Sequence, residues 1–266
     1  LKRIGNRLLR GLRPPRQVRQ RLWVWSPLVV PLQRYPFVRS LNRGLLSAGL
    51  SLWRRRLGLS CELAWTYNPM STALFPTRSF ATVVYHCVDE IEAQPGMPAA
   101  EIAAAEAELL READFCFVTA EHLRETRGRL NANTHYFPNV ADFEHFSQAR
   151  SPETGIPADL ERLPRPRIGF VGAISAYKLD VPLVHALAEA HPQWSIVLIG
   201  KVGEGDPWTN VDSLRGLPNV HLLGPRSYAD LPAYLKGFDT AILPSALNDY
   251  TRGMFPLKFF EYLAAG

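Results

Sequence analysis

The stretch RIGFVGAISAYKLDVPLVHALAEAHPQWSIVLIGK, residues 167–201, carries the pattern that decides the fold. An apolar, β-branched run at 167–174 predicts a strand, the run at 181–190 predicts a helix, and WSIVLI at 194–199 predicts a second strand. A strand, a helix and a strand in this order form a βαβ unit, whose two strands lie parallel in one sheet. The stretch therefore predicts a parallel sheet with helices packed against it.

The same alternation extends to both sides of this unit. Downstream, strands are predicted at 220–223 and 238–243, and helices at 228–236 and 256–265. Upstream, strands are predicted at 22–27, 62–68, 81–89, 115–119 and 134–138, and helices at 37–57, 99–113 and 120–130. The alternation fades where prolines interrupt a polar stretch, so we place a domain boundary there. The prediction is an α/β protein with a first domain at 1–150, a linker at 151–166 and a second domain at 167–266.

Composition narrows the class of protein. The chain has 266 residues, 47% apolar and 21% charged, which excludes disordered, collagen-like and coiled-coil proteins and is enough for two domains. Its longest apolar stretch, 22–32, is interrupted by a serine and two prolines and falls short of the roughly 20 residues that cross a bilayer. The cysteines, Cys61, Cys87 and Cys116, have no metal-ligand spacing and indicate neither a disulfide framework nor a zinc site, so a reducing cytosol is expected.

Positive charge is concentrated at the amino-terminal end. Residues 1–60 hold fourteen Lys and Arg and no Asp or Glu, whereas the rest of the chain holds 16 positive and 25 negative residues. Apolar side chains lie among these charges, namely Leu8, Leu9, Leu12, Leu22, Trp23 and Trp25. The combination favours a segment that docks on anionic lipid, with an ordinary solvated basic face as the alternative. Nucleic acid is not predicted as a partner, because no nucleic-acid-binding motif is readable.

Small and polar residues follow each strand of the second half. The stretches are GAIS at 172–175, GKVG at 200–203, GPRS at 224–227 and PSALN at 244–248. In an open parallel sheet, ligands bind beyond the carboxyl ends of the strands, where helix amino termini also point. We therefore expect two Rossmann-like domains whose strand ends face across a cleft and enclose a ligand.

Two segments of the second half suit a nucleotide. The loop Gly200-Lys-Val-Gly203-Glu-Gly205 lacks the order of a dinucleotide fingerprint but permits close approach of a ligand, and a plain turn is the alternative. In PLKFFEYLAAG, residues 256–266, Pro256 marks a helix start, and Lys258 and Glu261 lie one turn apart on nearly the same face. Lys258 could reach a phosphate and Glu261 both hydroxyls of a ribose, unless the two form an ordinary surface pair.

These segments carry a resemblance to a known family. PLKFFEYLAAG after AILPS, together with LPNVHLLGPRSYADLPAYLKGFD, resembles the nucleotide-sugar-binding half of GT-B glycosyltransferases in the retaining family 4. YHCVDE, ADFCFVTAEHL and YFPNVADFEHF resemble a bacterial subgroup that acts on cell-surface polysaccharides, such as teichuronic acid glycosyltransferases. The resemblance runs from about residue 22 to residue 266 and is specific in its combination of motifs.

The resemblance implies roles for individual residues. Glu261 would hold the ribose, and Lys178 in GAISAYKLD would meet the pyrophosphate. The family often has a Glu eight positions before the ribose Glu, where this chain has Gly253; Asn248, Asp249 or Thr251 could substitute for it. Where some members carry an Arg after the loop glycine, this chain has Ala173. His86 or Asp89 would face the acceptor, although His86 alone is equally well explained as a hydrogen-bonded structural histidine.

The function expected from the resemblance is transfer of a sugar from a nucleoside diphosphate sugar to a saccharide or lipid-linked acceptor, with retention of configuration and without metal or other cofactor. The expected catalytic residues are His86, Asp89 and Lys178. The expected donor-binding residues are Gly172, Ser175, Lys178, Gly200, Lys201, Ser245, Asn248, Pro256, Leu257, Lys258 and Glu261. Departure of the diphosphate would be assisted by Lys178, by backbone N–H groups near Gly172 and by the amino end of the helix at Pro256.

Two other classes of function use similar features. A sugar-nucleotide epimerase has the same fold, and a catalytically silent sugar-nucleotide-binding protein would fit the glycine at position 253. The resemblance also implies that strands precede Leu1 and follow Gly266, so the chain is expected to be an internal part of a longer protein. A cytoplasmic location, with peripheral contact to the inner face of the membrane, is expected for such an enzyme.

Overall fold

A computed structural model of the chain describes residues 11, 13–30, 35–60, 62–74 and 76–266. Their contacts divide the chain into two compact units. The first unit comprises Leu1–Cys87, Ala100–Phe117 and Glu125–His135, and the second comprises Val88–Ala99, Val118–Arg124 and Tyr136–Gly266. Several residues of the predicted basic segment lie outside the described residues, namely Lys2, Arg3, Arg7, Leu8, Leu9, Arg10, Leu12 and Arg34, and so does Cys61.

The amino-terminal part of the chain forms a hairpin, a long helix and a four-stranded sheet. In chain order the strands and helices are β1 (Arg16–Arg19), β2 (Leu22–Val24), α1 (Pro36–Leu57), β3 (Leu63–Thr66), α2 (Ser71–Leu74), β4 (Thr82–Cys87), α3 (Ala99–Glu112), β5 (Phe115–Val118), α4 (Glu121–Arg127) and β6 (Thr134–Tyr136). The sheet has the order β3-β4-β5-β6, and β3 pairs with β4 in parallel from Leu63↔Thr82 to Thr66↔Tyr85. The alternation of strand and helix predicted this sheet.

A buried polar group joins β4 to α3 and α4 in the first unit. The Tyr85 hydroxyl donates to one carboxylate oxygen of Glu106 at 2.5 Å, and Arg127 donates to the other at 2.8 Å. The side chains of Glu106 and Arg127 are at most one tenth exposed. Both charges are thus partnered inside the unit, as buried ions must be if they are not to destabilise the fold.

The remainder of the chain forms a second parallel sheet. Its strands and helices are α5 (Phe143–Phe146), α6 (Ala158–Glu161), β7 (Arg167–Val171), α7 (Val181–Ala190), β8 (Ser195–Ile199), α8 (Asp212–Arg215), β9 (Val220–Leu222), α9 (Leu231–Lys236), β10 (Thr240–Ala241), α10 (Asp249–Arg252) and α11 (Leu257–Ala265). The strand order is β10-β7-β8-β9, and all three pairings are parallel. The structure also has four short 3₁₀ helices in the described part of the chain, at Thr77–Ser79, Ile91–Ala93, Ser147–Arg150 and Tyr228–Asp230.

The core of the second unit explains why β7 and β8 read as continuous apolar runs. Ile196, Leu198 and Ile174 are fully buried in one cluster, and Val197 and Ile199 are buried in another with Leu160. A strand buried on both faces cannot alternate polar and apolar residues, which is the pattern of a parallel sheet. The βαβ unit that begins at Arg167 is therefore confirmed, with α7 at exactly the predicted residues.

Several predicted limits are wrong in detail. The strand predicted at 238–243 is only two residues long, and α11 begins at Leu257, so that Pro256 precedes the helix. The predicted strand at 22–27 is instead the second half of the β1–β2 hairpin. The predicted linker at 151–166 contains α6, whose Leu160 packs in the core of the second unit. The domain limits themselves stay a prediction.

Two findings from the structure concern membrane-spanning helices and cysteines. No helix in the described part of the chain is both long enough and apolar enough to cross a bilayer. Cys87 and Cys116, the cysteines that the structure describes, are buried and not disulfide-bonded.

Candidate functional site

The second sheet has a point where the direction of strand addition reverses. The chain starts at β7, adds β8 and β9 on one side, and then returns to place β10 on the other side of β7. In open α/β sheets, the loops after two such strands diverge to opposite faces and leave a crevice in which ligands bind. The candidate site is therefore beyond the ends of β7 and β10.

A cleft lies at this point and is lined from three segments of the chain. The lining residues are Phe170 in β7, Ala173 and Lys178 after it, Leu243 and Ser245 after β10, and Met254, Phe255, Pro256, Leu257 and Lys258 before and at the start of α11. The cleft measures about 120 Å³. Because small-molecule sites usually exceed about 300 Å³, this cleft would hold only part of a nucleotide sugar. It brings together five of the predicted residues, namely Lys178, Ser245, Pro256, Leu257 and Lys258.

Two glycines allow the chain segments to approach at the end of β7. A Cβ atom at Gly172 would lie 2.3 Å from Cε of Lys258, and one at Gly200 would lie 1.7 Å from the Gly172 carbonyl oxygen. Only glycine fits at either position without displacement of the neighbour. The predicted donor-binding glycines therefore let the Lys258 side chain lie directly over the end of β7.

Lys178 is positioned by its own loop. Its amide donates to the Ser175 carbonyl at 2.8 Å, and its carbonyl accepts from the Ala246 amide at 3.0 Å. Its ammonium nitrogen lies 5.2 Å from the ring centres of both Tyr177 and Tyr250. Rings at this distance attract a cation through their π-faces, so they hold the ammonium beside the cleft.

Asp89 lies close to this lysine. The segment that carries Asp89 belongs to the second unit, and the Tyr250 hydroxyl forms a hydrogen bond with the Asp89 carboxylate. Burial raises the pKa of Asp89, while the Lys178 charge and the Tyr250 hydrogen bond lower it. The structure thus joins two of the predicted catalytic residues, Asp89 and Lys178, through a tyrosine that the sequence did not single out.

The glycine at position 253 faces another carboxylate of the same segment. A Cβ atom at Gly253 would lie 3.2 Å from Cβ of Glu90 and 3.5 Å from its Oε2. Glu90 is buried. The absence of a side chain at 253 therefore leaves the space that Glu90 fills, which no pattern within residues 244–266 could have indicated.

Glu261 is half-buried in a mixed polar environment. Burial raises its pKa, and the charges of Lys258 and His145 oppose that shift. The His145 ring stacks on Tyr228 at 4.3 Å, and its Nε2 is 2.8 Å from the Tyr228 carbonyl oxygen. The surface-pair explanation of Lys258 and Glu261 is therefore incomplete, because His145 also acts on this carboxylate.

Other predicted residues serve the loops around the cleft. The hydroxyl of Ser175, which is fully buried, donates to the Glu204 carbonyl. The side chain of Asn248 caps α10 by accepting from the Thr251 amide and donates to the Tyr177 carbonyl at 2.8 Å. Lys201 is exposed and does not line the cleft.

The side chains proposed to substitute for the glutamate that is missing at position 253 also have structural partners. The Thr251 hydroxyl donates to the Ala246 carbonyl, and the Asp249 carboxylate lies 3.5 Å from the Arg252 guanidinium. Together with Asn248, these side chains stabilise α10. Their positions give no support to a role at the donor sugar.

The predicted backbone donors are largely used within the fold. The Gly172 amide donates to the Ile199 carbonyl at 2.8 Å, and the Ile174 amide donates to the Lys201 carbonyl at 3.0 Å. At the start of α11, the amides of Leu257 and Phe259 donate to the carbonyls of Phe255 and Pro256. The expectation that these N–H groups face a diphosphate is wrong for these four, and the two lysines carry the positive charge of the cleft.

His86 belongs to the first unit, where aromatic rings surround it. Its ring lies 4.8 Å from Tyr67, 5.8 Å from Trp65 and 6.4 Å from Phe117. Neither ring nitrogen has a hydrogen-bond partner, and burial lowers its pKa. The hydrogen-bonded structural histidine is therefore not what the structure shows. The His86 ring lies in an aromatic cluster, and its catalytic role stays a prediction.

No group of three or more His, Cys, Asp or Glu residues within the described ranges is arranged to hold a metal ion.

The residues that sequence reasoning missed are Tyr177, Tyr250, Glu90, His145 and Tyr228. His145 and Glu90 lie within the stretches YFPNVADFEHF and YHCVDE, so a signal was present in the segments that carry the resemblance. Tyr177 lies within GAISAYKLD and Tyr228 within LPNVHLLGPRSYADLPAYLKGFD, whereas Tyr250 lies outside the segments that carry the resemblance.

Several known proteins are similar to this chain. Residues 165–266 match the family Glycosyl transferases group 1. TuaH of Bacillus subtilis (strain 168), named as a glycosyltransferase of teichuronic acid biosynthesis, is 29% identical over 226 residues, which are 79% of this chain and 54% of TuaH. The chain thus spans about half the length of this relative.

Two solved structures share the fold at low sequence identity. Sucrose-phosphate synthase (tll1590) from Thermosynechococcus elongatus has a TM-score of 0.59 and 19% identity, over 89% of this chain and 61% of that one. The E. coli trehalose-6-phosphate structure bound with UDP-2-fluoro glucose has a TM-score of 0.59 and 14% identity, over 86% and 60%. Residues 165–266 are thus similar to the family Glycosyl transferases group 1, and the chain has the fold of GT-B glycosyltransferases.

Proposed function

We propose that this chain is the part of a glycosyltransferase that binds a nucleoside diphosphate sugar and transfers the sugar, with retention, to an acceptor hydroxyl in cell-surface polysaccharide biosynthesis. The observation that carries the proposal is the convergence of Lys178 and Lys258 on one cleft at the switch point of a parallel sheet. The similarity to TuaH supports the polysaccharide role, and the UDP-sugar in the trehalose-6-phosphate structure supports the class of donor.

The two lysines suit the charge that develops in this reaction. When the bond between sugar and diphosphate breaks ahead of attack, negative charge accumulates on the departing diphosphate. Ammonium groups already held in place stabilise that charge without reorganisation. Lys178 is held beside two tyrosine rings and Lys258 over Gly172, so both are preorganised for this role. In our proposal they do this without a metal ion.

The carboxylates have separate roles in the proposal. Glu261, one turn beyond Lys258, accepts both ribose hydroxyls. Glu90 lies next to Gly253, the position at which the family that this chain resembles often has a carboxylate. In the proposal, Glu90 contacts the donor sugar. Asp89 balances the charge of Lys178 and faces the acceptor. The acceptor is a saccharide or a lipid-linked saccharide on the cytoplasmic face of the membrane.

Binding of UDP to the full-length protein, measured by calorimetry, tests the nucleotide site. Glu261→Ala leaves ribose hydroxyls without acceptors and should weaken UDP binding by about 1–3 kcal/mol, roughly ten- to a hundredfold. Glu153→Ala, an exposed carboxylate of the same unit, is the matched control and should bind as the unaltered protein does. An unchanged dissociation constant for Glu261→Ala with an intact fold would return this residue to the surface-pair explanation.

Steady-state kinetics tests the role of Lys178. A cation that meets the leaving diphosphate acts more strongly in the transition state, so Lys178→Ala should lower kcat more than it raises KM. A change in KM alone would mean that Lys178 only positions the donor. Activity that a chelator abolishes and Mg²⁺ restores would contradict metal independence.

A further inference from the structure

An apolar stripe runs along α1 on its exposed side. The stripe consists of Phe37, Leu41, Leu45, Ala48 and Leu52, which are all exposed. Each follows the one before it by three or four residues. Phe37 is 70% exposed and the three leucines are 45–49% exposed. Residues at these intervals lie on one face of a helix. Over 22 residues, or roughly 33 Å, this helix thus presents to its surroundings the kind of face that usually packs inward.

The opposite side of α1 packs on the amino-terminal segment. Asn42, which is buried, exchanges two hydrogen bonds with the backbone of Val30, at 2.8 and 2.9 Å. A Cβ atom at Gly49 would lie 2.4 Å from the ring of Trp25, so this indole packs directly against the helix. The stripe is therefore not the face by which α1 joins the first unit.

The segment that carries the stripe is positively charged and holds no acidic residue. Arg43, Arg55 and Arg56 of α1 are exposed. The hairpin, which packs on the side of α1 opposite the stripe, adds the exposed Arg16, Arg19 and Arg21, and Arg13 just before it is exposed as well. Because residues 1–60 hold no Asp or Glu, no counter-charge comes from this segment. An apolar helix face in a segment whose charges are all positive is the pattern of a helix that lies in the surface of an anionic bilayer.

We propose that α1 docks this protein on anionic phospholipid, with Phe37, Leu41, Leu45 and Leu52 inserted at the acyl boundary and with arginines of the same segment attracted by the headgroups. The apolar residues that would contact lipid differ from those expected from the sequence. Trp23 and Trp25 are half-buried in a cluster with Leu50, Trp53 and Leu57, so the exposed stripe takes their place. The reason for docking, which is access to a lipid-linked acceptor, rests on the proposed function. The docking surface itself is argued from the charge and exposure of its residues.

Co-sedimentation of the full-length protein with vesicles tests the charge component. Vesicles of mixed phosphatidylglycerol and phosphatidylcholine should bind it at low salt and release it at high salt, whereas pure phosphatidylcholine should bind it weakly. The combined change Arg16→Gln, Arg19→Gln and Arg43→Gln should weaken binding to the anionic vesicles on the order of a hundredfold. Equal binding to both kinds of vesicle, or no binding at low salt, would overturn the proposal.

The stripe is tested by Leu41→Ser, Leu45→Ser and Leu52→Ser in one protein. Loss of three half-exposed leucines should weaken binding to anionic vesicles at least roughly tenfold. An equal number of exposed apolar residues elsewhere, changed as Leu130→Ser, Val140→Ser and Leu183→Ser, is the control and should leave binding unchanged.

Circular dichroism and UDP binding of each variant separate docking from folding and from nucleotide binding. A stripe variant that keeps its helix content and binds vesicles as the unaltered protein does would refute the proposal. So would sedimentation velocity that shows a dimer converted to a monomer by the stripe changes, with no vesicle binding, because a second copy would then cover the stripe. If UDP does not bind but vesicles do, only the proposed function fails.

Discussion

The charge of Lys178 is controlled by residues that sequence spacing does not connect. Its ammonium lies beside two tyrosine rings that contact each other, and Asp89 comes from a segment far earlier in the chain. The Tyr250 hydroxyl is hydrogen-bonded to the Asp89 carboxylate, and burial of that hydroxyl raises its own pKa. Tyr250 is therefore a positioning residue, which acts on the cleft through Asp89 and Lys178.

Removal of the Tyr250 hydroxyl should change the pH profile of the full-length enzyme. The hydrogen bond lowers the pKa of Asp89, so Tyr250→Phe should raise that pKa further above its ordinary value. Asp89 would then lose its charge at a higher pH, and the acid limb of kcat/KM should move upward. Tyr177→Phe, which keeps the second ring beside Lys178, is the control. Superimposable acid limbs would show that Tyr250 does not act through Asp89.

At the scale of elements, Arg167 fixes the segment before β7 onto the second unit. Its side chain is buried, and its guanidinium donates to the carbonyls of Leu163, Glu161 and Gly237. These carbonyls lie at the end of α6 and after α9. One side chain thus satisfies backbone groups of two elements that flank the first strand of the sheet.

Arg167→Leu should lower the free energy of unfolding by about 2–4 kcal/mol, because it leaves several buried carbonyls without donors. Urea denaturation followed by circular dichroism measures this change. Arg162→Leu removes an exposed arginine from the same segment and should alter stability by no more than about 0.5 kcal/mol. Similar values for the two variants would mean that water satisfies the carbonyls.

Regular elements could be predicted, whereas short and polar ones could not. Strands β7 and β8 and helices α1, α3 and α7 have long periodic patterns, and the structure agrees with them within a few residues. Four-residue helices such as α6 and α10 have too few residues for a period. Gly172 and Gly200 follow from strand ends, Lys258 from the predicted start of a helix, and Lys178 from the family resemblance. Glu90 and Tyr250, by contrast, depend on tertiary contacts between distant segments.

At the scale of the whole molecule, function divides between the two units. The cleft, both of its lysines, Glu261, Asp89 and Glu90 belong to the second unit, whereas the basic hairpin and the apolar stripe belong to the first. The charge of the sequence divides in the same sense, since the basic residues of 1–60 contrast with a surplus of acidic residues in the rest. Donor binding and surface docking should therefore be separable by experiment.

Hydrogen exchange of the full-length protein with and without UDP should show this separation. A ligand at one hundred times its dissociation constant stabilises the state that binds it by about 2.7 kcal/mol, or roughly a hundredfold in exchange through unfolding. We expect slower exchange after β7, β8 and β10 and in α11, and no change in α1. Glu261→Ala with the same UDP concentration is the control and should lose most of the protection. Equal protection of α1 and α11 would contradict a nucleotide site confined to the second unit, because binding would then stabilise both units together.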